Sequence, residues 1–258
     1  MPSIRSIAKS ITPAPLRSVY RRMTTGNSPR VNPDKLLLID HVCARFGIRS
    51  FADLGGVWGV NGAYSFYAMK QCAIERAYII DLGRTPELLA EQQRHPGMEI
   101  ITGHFGKPEN ADKIGHVDAV FMFDILLHQV SPDWDEVVKL YADKTEHFLI
   151  FNQQYAASDH TIRLIDLGEQ GYFENVPHTK ESDVEYKDLF ERMNEMHPVH
   201  RDRTYRDMPD VWQWGITDQD LIELLSSLGF IMMYFKNCGP FGQLKNMENH
   251  AFVFSRRS

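Results

Sequence analysis

The sequence predicts an α/β protein: a doubly wound, mostly parallel seven-stranded sheet with an antiparallel C-terminal strand and an inserted cap. Three observations carry this. From residue 33 to about 154, short apolar runs alternate with longer amphipathic ones, the pace of strand–helix units in a parallel sheet. The run 117–123 is apolar except for Asp118, as a central strand covered on both faces must be. After an irregular stretch, the chain ends in one helix and two strands joined by a Gly-Pro-Phe-Gly turn, and strands joined without a helix pair antiparallel.

Each element follows from local chemistry. Pro33 and Asp34 open a helix that runs through Cys43 and Phe46 and closes near Gly47. Residues 50–54 read as a buried strand entering the glycine-rich turn 55–62, followed by a helix over about 62–73. Ala77 to Asp81 is a second strand, Pro86 starts a helix that ends near Arg94, and Met98 to Thr102 is a third strand. Beyond the fourth strand, a helix from about Pro132 to Lys144 leads to a fifth over Phe148–Phe151. Residues 155–215 carry many charged and aromatic groups without a clean strand and read as a cap inserted in the 33–258 domain. Order returns at Thr217, an N-cap for a helix over 218–227 with its Gly229 stop, before strands at 230–235 and 250–254.

Composition narrows the function classes. The chain has 258 residues, 43% hydrophobic and 24% charged, enough to bury a core without a staple. No apolar run approaches the roughly 18 residues of a membrane span. Cys43, Cys72 and Cys238 are odd in number and far apart, which predicts inert thiols in a reducing, cytoplasmic setting and neither a zinc nor a disulfide framework. A net charge of −6 argues against nucleic acid as a partner. The charge is uneven, because the first 33 residues hold six of the 28 basic groups and no acid. Residues 1–32 therefore read as a basic arm with Ile4, Ile7 and Ile11 at helical spacing. Such an arm suits mitochondrial targeting, an anionic surface, self-association, or packing on the acidic body.

The chemistry-bearing signal is Asp53-Leu-Gly55-Gly56-Val57-Trp58-Gly59, where the first strand meets the first helix of the alternating series. Glycines there let the backbone bend sharply and approach a ligand closely, and Asp81, at the end of the next strand, can accept hydrogen bonds from both hydroxyls of a ribose. Across most of 34–154 and 216–255 the chain resembles the class I S-adenosylmethionine-dependent methyltransferases. Asp53, Gly55 and Gly59 match that family's first motif, with Val57 in place of its central glycine and Gly56 beside it. Asp81 matches its ribose-binding acid, with Leu82 next to it. His104 and Phe105 stand where the family has a small polar or acidic residue near adenine. Asp124 and Ile125 resemble its motif beside the cofactor's amino acid and methyl group. The resemblance implies a Rossmann-like sheet and S-adenosylmethionine as cofactor.

Methyl transfer to oxygen needs alignment and a base, and a neutral histidine suits pH 7. His128, just past the fourth strand, is the candidate base, and Asn152 the candidate for orienting the acceptor hydroxyl. Gln153 and Gln154 follow the fifth strand at the mouth of the same crevice, with His160 and Arg163 placed to reach back over it. Trp212 and Trp214 are candidates for a ring-stacking platform, with core packing as the alternative. His197-Pro-Val-His200 with Asp202 has metal-like spacing but no second cluster, so no metal is expected. The run Asp124-Ile-Leu-Leu lacks the Pro-Pro-aromatic step of many amine methyltransferases, which favours an oxygen acceptor on a small or sugar-like molecule. Two other readings use the same turn: an NAD(P)-dependent oxidoreductase, and a methyltransferase-like binding module without turnover.

Overall fold

The computed structural model describes residues 31–181, 184–198, 202–209 and 211–257. The basic arm, apart from Val31 and Asn32, lies outside the described residues, as does His200. Helix α1 (Pro33–Phe46) starts where the Asn32 side chain accepts from the Asp34 N–H at 2.8 Å, and it stops at Gly47 in the left-handed region. Alternation then proceeds through β1 (Ser50–Leu54), α2 (Ala63–Gln71), β2 (Arg76–Asp81), α3 (Pro86–Gln92), β3 (Met98–Thr102), α4 (Pro108–Ala111), β4 (Val117–Phe123), α5 (Trp134–Ala142) and β5 (Thr145–Tyr155). The cap holds β6 (Ile162–Arg163), α6 (Gly168–Asn175), α7 (Val184–Lys187) and β7 (Trp214–Gly215). The chain then returns through α8 (Asp218–Ser227), β8 (Phe230–Pro240) and β9 (Met247–Arg256).

The seven-stranded sheet has the order β3-β2-β1-β4-β5-β9-β8, parallel except for β9, which lies antiparallel to both neighbours. Strand order reverses between β1 and β4, so the connections leaving their carboxyl ends diverge and open a crevice there. One face of the sheet buries Phe51, Phe121, Leu149 and Phe151 against α1, α2 and α3; the other buries Phe148, Ile150, Phe252 and Phe254 against α5 and α8. The cap has a core of its own, built on Tyr172, Leu189, Tyr205 and Trp212.

Three features depart from the sequence reading. Strand β5 runs on to Tyr155, so Asn152, Gln153 and Gln154 lie within it, with backbones paired to His250, Asn249 and Glu248 of β9. The cap does contain strands: β6 and β7 pair antiparallel and close its neck, Ile162 opposite Gly215. Cys43 and Cys72 form a disulfide, contrary to the expectation of free thiols, because the packing of α1 on α2 brings their Cα atoms to 5.8 Å. Cys238 is the free cysteine.

Candidate active site

Asp53 ends β1 with its carboxylate buried, accepting from Ser65 Oγ of α2 at 2.6 Å. Burial pushes its pKa up to about 7, the Ser65 bond and the more distant Lys35 cation opposing and Asp81 adding to the rise. Gly56 has no space for a side chain, since a Cβ there would enter the Asp53 carboxylate. Gly55 has φ +72°, its N–H bonds Ile80 O at 2.9 Å, and a Cβ would sit 2.8 Å from Ile125 Cγ2 and 3.5 Å from Phe105 Cε1. The turn thus brings Gly55, Phe105 and Ile125 together. Gly59 is left-handed as well, at φ +71°.

Asp81 closes the turn from the other side. One carboxylate oxygen accepts from the Val57 N–H at 2.9 Å and the other from the Gly83 N–H at 2.8 Å. A carboxylate offers about four lone-pair positions, so each oxygen keeps capacity for a ligand hydroxyl. Val57 therefore fills the place of a third glycine with an apolar side chain packed in the core, while its N–H still faces the acid. On either side stand exposed apolar groups, Trp58 at 89% and Leu82 at 70% of full exposure. His104 Nδ1 accepts from the Gly106 N–H at 2.9 Å, and burial, Arg203 and Lys107 lower its pKa.

At the end of β4, Asp124 adopts φ +57°, strained for a residue with a side chain. Gln153 Nε2 donates to its Oδ1 at 2.8 Å, and Lys35 of α1 pairs with its Oδ2. The Lys35 ammonium is buried in an aromatic box, 5.1 Å from the Tyr64 ring centre, 5.0 Å from Phe151 and 5.7 Å from Phe123. Sequence reasoning missed Lys35 and Tyr64. The available signal was register: Lys35 shares the apolar face of α1 with Leu38, Ile39 and Val42, where a cation has no packing reason to be.

His128 lies in a short 3-10 turn after β4, with Nδ1 3.3 Å from Val211 O and its ring edge-on to Trp212. A carbonyl partner is met by a proton on Nδ1. Because side chains alternate along β5, Gln153 joins Asp124 on one face while Asn152 and Gln154 point to the other. Gln154 and His160 meet at a cavity of about 500 Å³ beside the start of α8. The other cap residues have different surroundings. Arg163 bonds Asp207 at 2.6 Å and Gln213 at 3.0 Å, fastening the cap's neck rather than reaching over the crevice. Trp212 is buried in the cap core, so packing occupies the faces that a stacking platform would present. Trp214 donates from Nε1 to Gln129 O at 2.6 Å and borders a second cavity of about 490 Å³ with Trp134. Among the described residues no cluster has the makeup of a metal site. No described helix is long and apolar enough to cross a membrane.

The sequence matches no protein-family model and no curated protein. The fold has relatives among solved structures. An O-methyltransferase family protein from Burkholderia thailandensis superposes with a TM-score of 0.53 at 14% identity, over 88% of this chain; the chain spans 56% of that protein. The 1,6-didemethyltoxoflavin-N1-methyltransferase of the same organism, solved with 1,6-didemethyltoxoflavin and S-adenosylhomocysteine, gives a TM-score of 0.57 at 13% identity, covering 100% of this chain and 92% of that one. The N-terminal domain of EvdMO1, solved in the presence of S-adenosylhomocysteine and D-fucose, gives 0.55 at 13% identity, covering 94% and 97%. The architecture of this chain is the class I S-adenosylmethionine-dependent methyltransferase fold.

Proposed function

We propose that this chain is an S-adenosylmethionine-dependent methyltransferase that methylates a hydroxyl of a small, sugar-like acceptor. The observation that carries the reading is the closure of the glycine turn on Asp81 at the switch point of the sheet. The residues fit the cofactor. Gly55 keeps the space beside Ile125 and Phe105 clear of a Cβ, Asp81 retains lone pairs for a ribose, and Leu82 lies beside it for the adenine. Phe105 and Ile125 flank the same turn. Asp124 and Lys35 offer an anion and a cation to an amino acid's ammonium and carboxylate. When bound, that cofactor supplies a sulfonium methyl group, whose carbon–sulfur bond breaks with its electron pair going to sulfur as an acceptor oxygen forms the new bond.

The chain's own residues align the acceptor and remove its proton. His128 Nε2 takes the hydroxyl proton, with Val211 O holding the opposite ring nitrogen. Asn152 and Gln154 orient the acceptor from the adjacent strand. The antiparallel β9 between β5 and β8 supports this reading over a nicotinamide-dependent oxidoreductase, whose doubly wound sheet continues parallel from its fifth strand to its sixth. A sugar-like acceptor draws support from the D-fucose present with one fold relative.

Calorimetric titration with S-adenosylhomocysteine tests the reading. The wild-type chain binds, and Asp81→Ala weakens binding by about 1.5–3 kcal/mol, the value of hydrogen bonds to a charged group. No heat at millimolar ligand, or an unchanged affinity in the variant, would refute it.

A further inference from the structure

We propose that the cavity between the end of β5, the start of α8 and β9 is the acceptor site, and that it takes a hydroxylated ring bearing a basic amine. The proposal rests on the methyltransferase reading and names the substrate class of that site. The cavity, about 500 Å³, is lined by Gln154, Tyr155, Asp159, His160, Asp218 and His250 among others. That volume falls within the range of small-molecule pockets.

The first argument is hydrogen bonding. Asn152 and Gln154 are 1% and 2% exposed. Asn152 donates to Gln153 O at 2.9 Å and Gln154 Oε1 at 3.4 Å, yet Asn152 Oδ1 and Gln154 Nε2 have no partner. Buried polar atoms are seldom left so unless something else supplies the bond. Of the two, Gln154 lines the cavity, and its unpaired amide Nε2 is answered there by a ligand oxygen, which a hydroxyl supplies.

The second argument is charge. His250 bonds Asp218 through Nδ1 at 2.8 Å and Glu248 through Nε2 at 3.2 Å. Burial opposes its charge, but the two carboxylates outweigh burial and raise its pKa. Among the described residues, no hydrogen bond or ion pair engages the Asp159 carboxylate at the rim. Asp218 and Asp220 occupy the first turn of α8 and offset the positive end of its dipole. The walls are therefore net negative. They repel a phosphorylated sugar and attract a protonated amine, with Asp159 placed to receive it.

The adjacency to the cofactor crevice comes from β5 itself. Gln153, next to the cavity residue Gln154, bonds Asp124, whose N–H bonds Phe151 O at 2.8 Å.

The test is a ligand-observed NMR titration of protein saturated with S-adenosylhomocysteine, using glucosamine, methyl glucoside and glucose 6-phosphate. Glucosamine binds at least about tenfold tighter than methyl glucoside, the scale of one charge-assisted contact, and glucose 6-phosphate does not compete. Asp159→Asn removes most of that preference. Gln154→Leu weakens both sugars while the affinity for S-adenosylhomocysteine, titrated separately, is unchanged. Should Gln154→Leu fail to fold, the exposed Asp159→Asn still decides the matter. Equal affinity for the amine and the neutral glycoside, preference for the phosphate, or no effect of Asp159→Asn would overturn the proposal. If S-adenosylhomocysteine binds and no sugar does, the acceptor assignment fails and the methyltransferase reading stands; if glucosamine binds and S-adenosylhomocysteine does not, the cavity stands and that reading fails.

Discussion

Replacing Asp53 by Asn tests whether burial, rather than ion pairing, governs the first carboxylate of the glycine turn. The group is ionised in the unfolded chain above an ordinary value of 3.8, but in the folded chain it holds its proton up to about pH 7. Between those values the native state carries one more bound proton than the unfolded state, so stability falls as pH rises, at about 1.4 kcal/mol per pH unit. Over some three units the loss reaches about 4 kcal/mol, complete above the folded value. Asparagine keeps nearly the same shape and its amide oxygen can still accept from Ser65, while the titration disappears. We expect the variant to match the wild type near pH 4 and to exceed it by about 2–4 kcal/mol at pH 8, or roughly 5–12 °C in Tm. Urea denaturation across pH 4–8 without cofactor measures it. His104, whose pKa is lowered, and His250, whose pKa is raised, titrate in both proteins and cancel in the difference. A gap between the two proteins that stays constant with pH, or a variant less stable at pH 8, would refute the reasoning.

Two further outcomes follow from the site. Lys35→Met keeps the volume of the side chain but leaves Asp124 without its cation; because that carboxylate is 39% exposed, the structural cost is small, about 1 kcal/mol or less. Affinity for S-adenosylhomocysteine should fall about tenfold, and calorimetry showing no change would remove Lys35 from the cofactor site. His128→Ala should lower turnover with glucosamine, followed by release of S-adenosylhomocysteine, by about 10²–10⁴-fold while cofactor affinity stays the same. Equal losses in turnover and affinity would mark His128 as structural.

Much of the fold was legible because its signals are local. Pro33 and Gly47 delimit α1, Thr217 caps α8, and strands β1, β3 and β4 have the boundaries their apolar runs predict. The glycine turn and Asp81 were legible for the same reason, since positive φ and close approach demand glycine whatever surrounds them. The features that were not legible depend on residues distant in sequence. Asn152, Gln153 and Gln154 have loop-like chemistry, and only the β9 partner, almost a hundred residues on, makes them strand. The Cys43–Cys72 bond depends on how α1 lies on α2, which spacing alone does not reveal. The cap residues Arg163 and Trp212 were read by their chemistry, but their environment is set by Asp207, Gln213 and the cap core.

That polar extension of β5 also gives the site its division of labour. A strand sends successive side chains to opposite faces, so three consecutive amides cannot serve one surface. Gln153 joins Asp124 and Asn249 on the side of α1, while Asn152 and Gln154 turn to the side of α8, where Gln154 lines the cavity. A slip of one residue would exchange the two sets, placing two amides on the side of the Lys35 box and one on the side of α8. Register therefore decides which amide meets Asp124, and it is held by the pairing of Asn152 with His250 and Gln153 with Asn249 in a strand anchored below by Phe252 and Phe254. In this arrangement β9 acts beyond sheet closure: its apolar half fixes the position of β5, and its polar half brings His250 to the cavity, bonded to Asp218 and Glu248.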